Sequence, residues 1–101
     1  MKESLLSLSD AMQGWTGWNS DQFPCLDDAR FTMRYGVATA EKWLSVLHAL
    51  KNDFYVSTAR YTAANLQEMS DMASMQFRKM HPEVDDTIVQ ALAWCYTFDY
   101  K

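Results

Sequence analysis

"KNDFYVSTARYTAANLQEMSDMASMQFRKM", residues 51–80, contains neither proline nor glycine, and its reading decides the fold. Apolar and small side chains recur through it at Val56, Ala59, Ala63, Leu66, Ser70, Ala73, Phe77 and Met80, in alternating steps of three and four. That spacing keeps one stripe on one side of an α-helix, and small side chains in such a seam let a neighbouring helix come close. Phe54, Tyr55 and Val56 favour strands by propensity, but a lone strand has no pairing partner here. The expectation is one long central helix over about 53–80, with Asp53 as its cap.

Working outward toward the N-terminus, Ala40, Trp43, Leu44, Leu47 and Leu50 mark one face of a helix that Thr39 would cap, with Glu41 in its first turn. Before it, "PCLDDARFTMRYG" (24–36) places Asp27 and Asp28 in a first turn, Phe31 and Tyr35 four apart, and Gly36 as a stop. The first helical pattern covers Ser4 to Gln13, with Leu5, Leu8 and Met12 on one face and Gly14 ending it. The next stretch, "GWTGWNSDQFPC" (14–25), is dense in breakers, so Trp15, Trp18 and Phe23 are expected on irregular chain. There the two indoles either fold back as a lid over the bundle end or stay out as anchors for another protein.

Toward the C-terminus, His81 and Pro82 break the chain. Pro82 suits the first turn of a last helix, with Glu83, Asp85 and Asp86 at its positive end. Val84, Ile88, Ala91, Leu92 and Cys95 form one stripe and Val89, Ala93 and Tyr96 a second, so this element is expected to be buried on two sides. The closing "YTFDYK" (96–101) should pack against neighbours. Together these segments predict an all-α, single-domain compact bundle of four to five helices spanning 1–101.

A chain of 101 residues with 49% apolar and 22% charged residues has enough apolar side chain for one core and is not disordered. Thirteen acidic against nine basic residues give a net charge of −4, which disfavours direct nucleic-acid binding and anionic membranes. Residues 1–13 carry Glu3 and Asp10 and lack the pattern of a secretory signal, and no stretch has the ~18 apolar residues of a membrane span. A soluble, cytoplasmic protein is expected, with Cys25 and Cys95 as free thiols.

Catalytic constellations are sparse. A zinc site would have to come from His48, His81, Cys25 and Cys95, which are scattered, and "HPE" (81–83) lacks the paired cysteines that complete a zinc-deaminase signature. Glu68 and Asp71, three apart, could share one side of a magnesium site, which makes a small helical metal-dependent nucleotide hydrolase the alternative expectation. Asp85 and Asp86 do not supply the facing pair, because neighbours on a helix diverge by about 100°. Arg30 and Arg34 share a face beside Tyr35, where pairing with Asp27 is the ordinary use. No glycine-rich phosphate loop or dinucleotide fingerprint occurs, and no cofactor is expected.

Four Trp, five Tyr, five Phe and seven Met are many for a domain this size, and some must reach the surface. Aromatics, Met and Arg dominate the energetic centres of interfaces. Phe54, Tyr61, Met72 and Met75 lie on the side of the expected long helix away from its seam, and with Trp15 and Trp18 they are the candidate partner-binding residues. Asp27, Asp28, Asp85 and Asp86 would steer this surface to a basic region. The expected function is a non-enzymatic module that binds another protein or a nucleoprotein complex as a steric inhibitor or neutralising partner. Immunity and antitoxin-like proteins, or phage-encoded blockers such as anti-CRISPR proteins, are of this kind; a homodimer seam is the other use of the same surface.

Overall fold

A computed structural model describes residues 7–18, 22–24 and 26–100. Among the described residues there are six helical segments and no strand: α1 (Leu8–Thr16), α2 (Asp28–Tyr35), α3 (Val37–Tyr55), α4 (Ala59–Thr62), α5 (Leu66–Met80) and α6 (Asp86–Tyr100). The all-α bundle is therefore observed, with no helix among these residues long and apolar enough to cross a membrane.

The central element is α6, which packs against α1, α3 and α5. Both of its stripes are buried, Ile88, Ala91, Leu92 and Cys95 on one side and Val89, Ala93 and Tyr96 on the other. Around it Met12, Trp15, Phe31, Leu47, Phe54 and Phe77 complete a continuous core. Every buried side-chain nitrogen or oxygen among the described residues has a hydrogen-bond partner.

The expected long helix over 53–80 is instead three pieces, and Asp53 is not a cap. The α3 helix runs through Asn52 and Asp53 to Tyr55, and the Asp53 carboxylate lies 2.8 Å from His81 Nε2, tying the last turns of α3 to the end of α5. A corner follows at Val56–Thr58. Ser57 Oγ accepts the Ala59 N–H (3.1 Å), and Arg60 Nη1 donates to the carbonyls of Tyr55 (3.1 Å) and Ser57 (2.9 Å). Tyr96 inserts its hydroxyl from α6, donating to Ser57 O (2.9 Å) and accepting from Arg60 N–H (3.1 Å). A second break precedes α5. There Asn65 Oδ1 accepts the Glu68 N–H and the Glu68 carboxylate accepts the Ala64 N–H, both at 2.8 Å. This reciprocal arrangement is a capping box shifted by one residue. Local hydrogen bonding at two points thus outweighs the apolar periodicity, and each break rotates the seam. Val56, Leu66 and Met80 turn out to solvent, while α5 buries Met69, Ala73 and Phe77, spaced by four.

Three other boundaries move. The α1 helix is capped by Ser7, whose Oγ accepts the Asp10 N–H (3.0 Å), and it continues through Gly14 to Thr16; residues 1–6 lie outside the described residues. The stop is Gly17, at φ 86°, whose N–H returns to Gln13 O (2.8 Å). Gly14 serves contact rather than termination, since a Cβ there would run into the Tyr35 hydroxyl. At the α2–α3 junction Gly36 (φ 94°) stops α2 as expected; Asp27, expected in the first turn, is instead its cap, and α3 starts at once at Val37, so Thr39 is inside it. Finally, Pro82 stands in a turn closed by the Val84 N–H on His81 O, and α6 begins only at Asp86.

Candidate functional site

The expected steering carboxylates hold local contacts at two helix starts. Asp27 caps α2 by accepting the Arg30 N–H (3.1 Å). Asp28 Oδ1 accepts Trp15 Nε1–H at 2.9 Å, and its Oδ2 is 2.8 Å from His48 Nε2. Burial works to raise the Asp28 carboxyl, but the hydrogen bonds with His48 and Trp15 and the imidazole charge hold it below the ordinary 3.8. At the start of α6, Asp85 accepts from Ser9 Oγ and Asp86 pairs with Arg78 Nη1, each at 2.6 Å. Glu68 is occupied as a cap and Asp71 accepts from Gln67 Nε2 (3.0 Å). Among the described residues no group of three or more His, Cys, Asp or Glu side chains is arranged to hold a metal ion.

Two surfaces remain. One is the corner between α3 and α4. Tyr61 is 75% exposed and Val56 66%. The Arg60 guanidinium lies over the Tyr61 ring (4.7 Å) and the Tyr100 ring (4.6 Å), and Lys51 lies over Tyr55 (4.7 Å). Behind them Tyr55 donates to Asp99 Oδ2 at 2.6 Å, and burial, then that bond, push the phenol well above its usual range. Burial, with the Asp99 charge, likewise pushes the Cys95 thiol up to about 12. Cys95 is free, and Cys25 lies outside the described residues.

The second surface is an open groove of about 710 Å³ between α5 and α6. Gln67, Ser70, Asp71, Ser74, Met75 and Arg78 line it from α5, and Val89, Gln90, Ala93, Trp94 and Thr97 from α6. Trp18, just past the Gly17 turn, completes it, its ring 5.4 Å from that of Trp94 and tilted by 59°. Neither indole is fully buried.

Of the candidate partner-binding residues, the groove brings together Trp18 and Met75, and Met75 is 59% exposed. Tyr61 is exposed on the other surface. Phe54 is a correction: it is sealed in the core between Phe77 (5.2 Å) and Tyr96 (5.6 Å), because α3 continues past Asp53 and carries it inward. Met72 is partly buried against the core. Trp15 is a further correction to the irregular-chain reading, being helical and buried because α1 runs on through Gly14. Trp94, Arg60 and Tyr100 are contributors that sequence reasoning missed. The signal for Trp94 was its place between the two stripes of α6, where a half-buried ring belongs. Arg60 and Tyr100 are 40 residues apart in sequence and only the fold brings them together.

Compared with protein-family models, curated proteins and solved structures, the chain matches none.

Proposed function

We propose that this protein is a non-enzymatic binding module that covers a site on another protein or nucleoprotein complex and so acts as a steric inhibitor or neutralising partner. The observation that carries this reading is the corner between α3 and α4, where exposed Tyr61 and Val56 flank an Arg60 braced between two tyrosine rings. Tyrosine and arginine are the residue types that concentrate binding energy at interface centres. The corner is also fixed before any partner arrives, by the bonds of Arg60 to Tyr55 O and Ser57 O and of Tyr96 to Ser57 O. A side chain already held in its bound geometry loses less entropy on association. Small size and a net charge of −4 fit a diffusible blocker drawn to a basic surface on its target. Inhibitors of host machinery carried by phages, and immunity or antitoxin-like proteins, work in this manner.

The test uses the full chain and its Tyr61→Ala variant as baits in lysate of the native host, followed by reconstitution with the purified stoichiometric partner. The variant is expected to bind at least about 30-fold more weakly, the equivalent of a 2 kcal/mol hot spot, with its urea midpoint unchanged. A partner bound equally by both forms overturns the assignment of the corner, and failure to find any stoichiometric partner overturns the function.

A further inference from the structure

We propose that the groove between α5 and α6 is closed in solution by the same groove of a second copy of this chain, with the two α5 helices antiparallel across a two-fold axis. This goes beyond the docking corner, since it concerns a separate surface and names its occupant.

The groove face of α5 carries Asp71, Ser74, Met75 and Arg78, at the three- and four-residue steps that keep them in one row. The row is self-complementary. A two-fold axis that sets Ser74 against Met75 of the second copy also sets Asp71 against Arg78 of the second copy, and does so twice, as an isologous interface requires. The two charges stand seven residues apart, about 10 Å along the helix. Arg78 engages Asp86 through Nη1, one of the five donors a guanidinium carries. In the pair it would sit between the carboxylates of Asp86 and of Asp71 from the other chain.

Shape agrees with charge. Ser70, Ser74 and Ala93 are small, which lets helix backbones approach, and Met75 stands exposed at the lip. In the two-fold pair each Met75 enters the other groove beside Trp18 and Trp94, where a thioether gains from the ring edges. The partly buried indoles lose their remaining water contact there. The contact is one helix pair wide and both chains are acidic, so association belongs at the weak end of specific interfaces, in the micromolar range of ~1–100 µM.

The experiment is sedimentation equilibrium of the full chain across concentrations spanning that range. Wild type is expected to pass from one-chain to two-chain mass. Asp71→Arg and Arg78→Asp should each weaken association about 10-fold or more, because each puts like charges opposite one another at both ends of the interface. Mixed in equal amounts, the two single variants should pair with each other, since every acidic side chain then meets a basic one. The doubly exchanged protein, with both substitutions, should self-associate as wild type does. That recovery separates pairing from any loss of folding. A wild type of one-chain mass throughout overturns the proposal, as do single variants that dimerise normally or a mixture that fails to recover. None of these outcomes bears on Tyr61.

Discussion

The junction of α1, α2 and α3 and the groove between α5 and α6 each take a tryptophan from the same short stretch, and they use it in opposite ways. At the junction Trp15 is 1% exposed, its Nε1–H bonded to Asp28 and its ring edge-on to His48 at 4.9 Å. Three residues on, past the turn at Gly17, Trp18 faces Trp94 in an open groove. The difference teaches that a large ring is committed to the fold when its apolar faces and its polar edge are satisfied together. Where only one face is covered, the remaining area stays available to another molecule. The same division separates Tyr96, whose hydroxyl is spent on the chain corner, from Tyr61, which is exposed.

The largest expected effect comes from the sealed side. Trp15→Ala should cost about 3–5 kcal/mol in chemical denaturation, the range for emptying a large buried aromatic site. Trp18→Ala should cost no more than about 2 kcal/mol, since only part of its area leaves water on folding. Equal losses would erase the contrast between junction and groove.

Next is the corner. Tyr96→Phe removes a hydroxyl that donates to Ser57 O and accepts from Arg60 N–H, leaving both groups without that partner. A loss of about 1–3 kcal/mol is expected, measured by the shift in urea midpoint. A neutral substitution would mean that the break between α3 and α4 is set elsewhere.

The smallest effect is electrostatic. In the folded state the Asp28 carboxyl is held below its ordinary 3.8 by His48 and Trp15 against the opposing pull of burial. A lowered folded value contributes stability that is present above the unfolded value and is lost as pH falls through the folded one. Stability of wild type should therefore decline below about pH 3.8, and Asp28→Asn should lose that part of the decline in an acid titration followed by circular dichroism. Because Asp28 is about half exposed, water weakens the contribution. An unchanged acid profile would make the junction a matter of packing alone.

Much of this architecture was legible in residue spacing. The two apolar stripes of α6 announced a helix buried on both sides, and Asp27 with Gly36 bracketed α2. In residues 51–80 apolar periodicity and capping chemistry point to different helices, and capping prevails. The Asn65-to-Glu68 spacing is a helix-start signature that stands in plain view within the stretch. The corner at Ser57 was not legible in this way, because the hydroxyl that stabilises it arrives from Tyr96, 39 residues away. Gly14 is ambiguous in sequence for a related reason. A glycine that ends a helix and a glycine that admits a ring from another helix look alike until Tyr35 is placed. The surfaces were legible as an excess of rings and thioethers, but which of them stay outside depends on how each chain break rotates the segment after it. Phe54 and Tyr61, expected on one surface, are parted: α3 carries Phe54 into the core before the break, and Tyr61 stays outside after it.

The division between rings that seal the fold and rings left to bind is tested most directly by hydrogen exchange at the indole nitrogens of Trp15 and Trp18, followed by NMR in dilute and concentrated solution. Trp15 should exchange only through global unfolding at either concentration, whereas Trp18 should exchange much faster when dilute and slow down as chains associate. A Trp18 as protected as Trp15 in dilute solution would contradict the account.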